Sequence, residues 1–198
     1  FILQGKASLR YAEETVPLRA DDFVYLAPGS SHAIANKSGK ECRMIVMDFK
    51  IPGGVALSAP PSRPMLANLA DVKEQTVGGH PSSVLYKLLI GPRGATRDKI
   101  DAAYVVTSLF LMHFAAGGTN FPHHHEFAEE IYLVLDGNGQ MAAGGGMNGV
   151  EGLHPAKAGD AYYFRPNCTV GFYNAGEPGA GAHILAVRSL IPLPRRWN

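Results

Sequence analysis

Three consecutive histidines, His123, His124 and His125, are followed by a glutamate pair, Glu129 and Glu130. Next come the apolar run Ile131-Tyr132-Leu133-Val134-Leu135 and the turn Asp136-Gly137-Asn138-Gly139. Imidazole and carboxylate groups together are the side chains that hold divalent first-row metals. Side chains on a strand alternate faces, so His123 and His125 point one way and His124 the other, toward the surface. The run 131–135, closed by Gly and Asn, reads as a strand entering a hairpin. Glu130 stands at its start and shares a face with Tyr132 and Val134. Two imidazoles and one carboxylate converging from neighbouring strands form a 2-His-1-carboxylate set. Such a set leaves coordination positions open on a divalent ion. A bare run of histidines also fits a histidine-rich surface loop; the surrounding spacing favours the site.

That spacing, G-x5-H-x-H-x4-E-x6-G, is met by Gly117, His123, His125, Glu130 and Gly137. It resembles the first motif of the cupins, and GGTNFPHHH is most similar to its germin-like form. The resemblance implies an all-β fold, a small antiparallel barrel of the double-stranded β-helix or jelly-roll type, with a metal in its mouth. It also implies that His123, His125 and Glu130 are the ligands, with Glu129 the less favoured carboxylate. The second cupin motif ordinarily adds a histidine ahead of a closing asparagine, as a fourth ligand.

The elements that would position this set repeat along the chain. DDFVYLAPGSSHAIAN (21–36) aligns without gaps onto GDAYYFRPNCTVGFYN (159–174), an offset of 138 (159 minus 21), with Asp22 over Asp160, Pro28 over Pro166 and Asn36 over Asn174. FILQG (1–5) falls over LVLDG (133–137). The repeat, together with the resemblance, implies two tandem cupin barrels, a bicupin. Residues 1–50 are expected to be the C-terminal part of the first barrel. Residues 51–100 form the connection, residues 101–192 the second barrel and residues 193–198 a tail. The chain opens on Phe1 rather than Met and already reads there as the end of a strand, so it is expected to start inside its first barrel. Within the connection, Leu66–Glu74 reads as a short helix and Val84–Ile90 as a strand. Arg93–Lys99 reads as a solvated turn. Met44–Phe49, Ala103–Phe114, Tyr162–Arg165, Thr169–Tyr173 and His183–Arg188 read as further strands, and 144–152 as a glycine-rich loop. That loop lacks the Lys-Ser/Thr of a phosphate cradle. The end of the chain, 192–198, reads as a surface strap whose sole Trp, Trp197, is expected to pack on the other barrel or on a second subunit.

Composition limits the partners. A net charge of +1 gives no footprint for nucleic acid or an anionic membrane. The longest apolar stretch, Ala102–Ala116, is interrupted and too short to span a bilayer. Two distant cysteines, Cys42 and Cys168, suggest no disulfide framework and fit a reducing, cytoplasmic setting. The expected partner is a small-molecule substrate; a homodimer stays open beside a monomer.

Where the resemblance implies a fourth ligand, the first repeat carries His32 but the second carries Val170. Three arrangements are therefore open at the second repeat. The metal is held by His123, His125 and Glu130 alone, or His113 or His183 supplies a replacement, or the pocket binds without metal. Tyr132, Val134, Val170 and Phe172 would line it, with Tyr132 a candidate proton donor. The expected cofactor is a divalent Fe, Mn, Ni or Zn ion. The expected function is a metal-dependent enzyme acting on a small carboxylate, amide or diketone-like substrate, with oxygenase-type chemistry. The alternatives are a metal-dependent hydrolase or isomerase, or a non-catalytic binding or storage protein.

Overall fold

The computed structural model describes residues 1–144, 151–176 and 179–190. Its regular elements are strands, apart from one 3-10 turn. The first part of the chain gives β1 (Ile2–Gln4), β2 (Lys6–Tyr11), β3 (Glu14–Arg19), β4 (Asp22–Tyr25), β5 (His32–Ala35), β6 (Arg43–Met44) and β7 (Met65–Asn68). The remainder gives β8 (Val84–Pro92), β9 (Ile100–Ala103), β10 (Val106–Phe114), β11 (His123–His124), β12 (Ala128–Asp136), β13 (Asn138–Gly144), β14 (Glu151–Lys157), β15 (Ala161–Phe164), β16 (Thr169–Asn174) and β17 (Ala182–Leu190). No helix among the described residues is long and apolar enough to cross a membrane.

Two sheets enclose the main core. A six-stranded sheet runs β15-β12-β17-β10-β8-β9, and a four-stranded sheet runs β11-β16-β13-β14. They face each other across Phe114, Tyr132, Met141, Phe172 and Ile184. The opposite face of the larger sheet presents Leu109, Leu111, Leu185 and Val187, which pack with Phe23 from the N-terminal part. Strands β10 and β17 are thus covered on both faces. This explains why VTSLFLMHF and AHILAVRSL read as nearly continuous apolar runs instead of alternating ones.

The N-terminal strands repeat part of this pairing. The order β3-β2-β5 has its counterpart in β14-β13-β16, and the pair β1-β6 in β12-β17. Even the turn chemistry recurs. The Arg19 backbone N–H donates to Asp22 Oδ2 at 2.8 Å, and the Lys157 N–H donates to Asp160 Oδ2 at 3.0 Å. Such Asx contacts close a turn ahead of the next strand. The alignment of 21–36 with 159–174 therefore corresponds to a repeated local structure.

Several expectations are corrected. Leu66–Glu74 does not form a helix: β7 pairs with β4, Asp22 opposite Asn68, and a 3-10 turn at Leu69–Asp71 follows. The Asn68 side chain donates to Asp22 Oδ1 at 2.8 Å and accepts from the Ala70 N–H, so tertiary pairing overrides local helix preference. The strand expected over Met44–Phe49 is reduced to β6. Gly5, whose φ is +84°, separates β1 from β2. Strand β14 was not expected from its sequence. It holds Pro155 and lies at the edge of its sheet, where a missing N–H costs no ladder bond. Residues 145–150 of the expected glycine-rich loop and the tail with Trp197 lie outside the described residues.

Gly137 sets the hairpin that joins β12 to β13. Its φ is +81°, and a Cβ there would lie 2.6 Å from the Ala182 Cβ and 2.8 Å from the Gly181 carbonyl oxygen. Both the left-handed backbone and the close approach of β17 demand glycine. Gly137→Ala should lower stability by about 1–3 kcal/mol, read as a lower urea midpoint with an unchanged slope.

Candidate metal centre

Strand β12 brings the carboxylate. Glu130 pairs with Arg188 of β17 on one side and with Phe164 of β15 on the other, which turns its side chain into the space between the sheets. It is buried, at 2% exposure. Glu129, one residue earlier, turns to the opposite face, where it accepts hydrogen bonds from Tyr163 and Ser189. The period-two alternation thus separates the two glutamates as the sequence suggests.

The imidazoles come from β11 and the residue after it. His123 pairs with Val170 of β16. The approach is allowed by Gly171, where a Cβ would lie 2.9 Å from Pro122 Cα. His124 is exposed. The ligand-capable atoms of His123, His125 and Glu130 all lie within 4.8 Å of one another. The His123 Nδ1–H donates to the Phe121 carbonyl at 2.8 Å, because a carbonyl can only accept. That fixes the tautomer and leaves Nε2 with a free lone pair, the state a metal ligand requires.

The donor set fits a cation. Glu130 Oε2 is buried without a hydrogen-bond partner, and it stands 3.4 Å from His125 Nε2. A buried carboxylate oxygen without a partner carries a desolvation cost that a positive ion would offset. His123 is held below the ordinary imidazole range, mainly by burial. His125 and His80 act in the same direction, and the Phe121 carbonyl and Glu130 act against it.

The site is a small cavity of about 40 Å³, with Val77, His80, Tyr86, Tyr132, Arg97 and Arg188 among its walls. A larger cleft of about 500 Å³ lies elsewhere, against the outer face of β10, and is lined mainly by apolar side chains such as Phe1, Met47, Phe49 and Leu109. The triad, not the larger cleft, gathers the groups that can do chemistry. Tyr132 is fully enclosed, and its hydroxyl accepts a hydrogen bond from Asn120 at 3.0 Å. Burial first, then the Glu130 charge, raises both the Tyr132 and Tyr86 phenols well above their ordinary value. Both therefore remain protonated donors.

Val134, Val170 and Phe172, expected on the pocket wall, form part of the core around the site without lining the cavity. The expected replacement ligands are elsewhere. His113 and His183 stack on each other with centroids 4.5 Å apart. His183 Nδ1 lies 2.9 Å from Asp136, and His113 Nδ1 lies 3.6 Å from Glu74. Strand parity alone does not say which end of a strand faces the site. His32, in the first repeat, is exposed and touches Ser30.

Three wall residues were not singled out from sequence. Arg188 arrives on β17, with its Nη1 3.3 Å from His125 Nε2. Arg97, expected in a solvated turn, instead makes two contacts with buried Asp98, at 3.0 and 3.1 Å, and one with Ser108. His80 comes from the connection before β8. Each lies far from the triad in sequence, so no local spacing could have signalled it.

A cupin-domain family model matches residues 1–48 and 110–185. The chain belongs to the cupin family. Among solved structures it is similar to a Pseudomonas aeruginosa protein described as glyoxylate-induced. The TM-score is 0.67 at 15% identity, covering 100% of this chain and 67% of that one. It is also similar to YlbA of E. coli (TM-score 0.61, 14% identity, 96% of this chain and 65% of that one). AerE of Microcystis aeruginosa gives a TM-score of 0.61 at 16% identity, covering 96% of this chain and 76% of that one. These likenesses establish a shared cupin fold. No curated protein matches the chain.

The depressed His123 value carries a sign. The unfolded chain takes up a proton on this imidazole below about pH 6.5, while the folded chain resists it, so unfolding free energy falls as pH drops through that point. In metal-free protein, His123→Gln should make this fall shallower, as followed by urea unfolding from about pH 7.5 to about pH 5. An unaltered slope would show that His123 is not held neutral.

Proposed function

We propose that this chain is a metal-dependent cupin enzyme acting on a small carboxylate substrate, with oxygenase-type chemistry at His123, His125 and Glu130. The observation that carries the reading is Arg188. It is half-buried beside the triad, and among the described residues it makes no ion pair. Its bonds run to Thr107 Oγ1 and toward the His125 ring. Arg97, by contrast, already has Asp98. A guanidinium without an anion, next to a metal-binding set, suits a substrate that offers one carboxylate to the arginine and a second oxygen to the metal. This favours carboxylates over the amides and diketones that the donor set would also accommodate.

A divalent Fe, Mn, Ni or Zn ion suits the two-nitrogen, one-oxygen donor set and would supply open positions that polarise a bound substrate or, for a redox metal, take up dioxygen. The chain's own residues provide the remainder. Arg188 orients the substrate anion. Tyr132 and Tyr86, both kept protonated, offer hydrogen bonds to negative charge in the cavity and would exclude bulk water. Tyr132 is held in place by Asn120. The same features suit a metal-dependent hydrolase or isomerase, and product analysis distinguishes these.

Two tandem barrels are part of the proposal. They are supported by the repeated strand pairing and by the family match on two separate stretches of the chain. In this arrangement only the second barrel carries the chemistry of the described residues. A second reading, a non-catalytic binding protein, is favoured by one observation: Val170 stands where a fourth ligand would be expected.

The test starts from untagged protein. Near-stoichiometric metal should be present, or be taken up from Fe, Mn, Ni or Zn, and should be lost in the His123→Ala, His125→Ala variant. Oxalate and glyoxylate serve as probes because each presents a carboxylate beside a second oxygen donor. Arg188→Met should weaken their binding by roughly 10–100-fold in calorimetry while the metal content stays the same. Absence of metal under all four supplementations would remove the enzyme reading. Binding unaffected by Arg188→Met would remove the substrate class.

A further inference from the structure

The connection before β8 places His80 at the triad, and its geometry parallels that of a ligand. The His80 and His123 rings meet edge-on at 4.9 Å and 69°. His123 and His125 meet at 5.0 Å and 81°. His123 is thus flanked by two imidazoles in nearly equal arrangements, and one of the two belongs to the triad.

The tautomer of His80 is fixed in the same way as that of His123. Its Nδ1–H donates to the Asn120 carbonyl at 2.8 Å. The next carbonyl along the chain, that of Phe121, serves His123. Two successive carbonyls therefore hold two imidazoles with Nδ1 protonated and Nε2 carrying a lone pair. Among the described residues, Nε2 of His80 has no hydrogen-bond partner. Phe121 adopts φ +55°, a left-handed conformation uncommon outside glycine, as it directs its carbonyl this way. Asn120 is anchored on both sides, its Nδ2 on Tyr132 and its Oδ1 on the Phe172 N–H at 2.8 Å.

From this geometry we infer that His80 is the fourth protein ligand of the metal, supplied by the connection and not by the strand that carries Val170. The inference rests on the reading that the triad binds a metal. His80 stands outside the 4.8 Å grouping of the three triad atoms. Its ligation therefore draws the segment from Lys73 to Ser83 inward, over a cavity whose wall already includes Val77 and His80. Gly78 and Gly79, the latter at φ +85°, give that segment the freedom to close. Metal binding and the position of the connection are then a single event.

Co²⁺ is the probe, since its visible spectrum reports the number and type of ligands. Wild-type protein should bind it, and His80→Ala should lose roughly tenfold or more in affinity with a changed visible band. His80→Gln guards against a general packing defect and should show the same changes, with the apo protein unfolding at the wild-type temperature. Hydrogen exchange adds a readout independent of affinity. Co²⁺ should slow exchange across residues 73–83 in wild type and not in His80→Ala. If wild type binds no Co²⁺, the metal reading itself fails. If wild type binds it, and both His80 variants keep its affinity and spectrum, the metal reading stands and the role of His80 is overturned.

Discussion

The structure depends on one constraint, a carboxylate oxygen sealed between two sheets without a hydrogen-bond partner. Glu130 is held there by strand pairing on both sides, with β15 and with β17, and so cannot swing into solvent. Everything around it can be understood as a response to that buried acceptor. His123 approaches it with its Nε2 lone pair free, His125 stands 3.4 Å from it, two phenols are kept protonated near it, and a guanidinium stands close by. An apolar core would have been simpler to pack, so the arrangement is better explained by chemistry than by stability.

The sheets exist on either side of this point for different reasons. The six-stranded sheet is apolar on both faces over much of its width, because the N-terminal strands cover its outer surface. It therefore provides the rigid wall on which Glu130 and Arg188 are fixed in register. The four-stranded sheet provides the other wall, and His123 reaches the site by lying against Val170. The backbone at Gly171 gives way to Pro122 so that it can do so. With Glu130 on a paired strand and the His123 tautomer set by a main-chain carbonyl, these side chains are held in place without an ion.

How much of this was legible in the sequence depends on distance along the chain. The two histidines and the glutamate are separated by a few residues, and strand alternation was enough to give their faces, including the outward turn of His124. The repeat was legible because short turn motifs, Asp22 and Asp160 among them, do the same local work twice. Arg188 was not legible, since it meets His125 only through the pairing of β12 with β17, 63 residues apart. His113 and His183 were plausible by type but sit at the far end of their strands, and period-two reasoning reports the face and not the end. The missing helix at 66–74 has the same cause. Asn68 is committed to Asp22, a partner 46 residues away, and that contact outweighs what the segment would do alone.

The compactness of the triad in the chain has an effect on energetics. His123, His125 and Glu130 fall within eight consecutive residues. An unfolded chain could bring them to an ion by closing only short loops, at small entropic cost. An ion that also binds the denatured ensemble stabilises the fold by less than its native affinity alone would give. Arg188 and His80, by contrast, reach the site only when the large sheet and the connection are in place. In a chain built this way, the native fold adds least to the grouping of these three side chains and most to the groups recruited from a distance, and those groups distinguish a finished site from a merely sticky sequence.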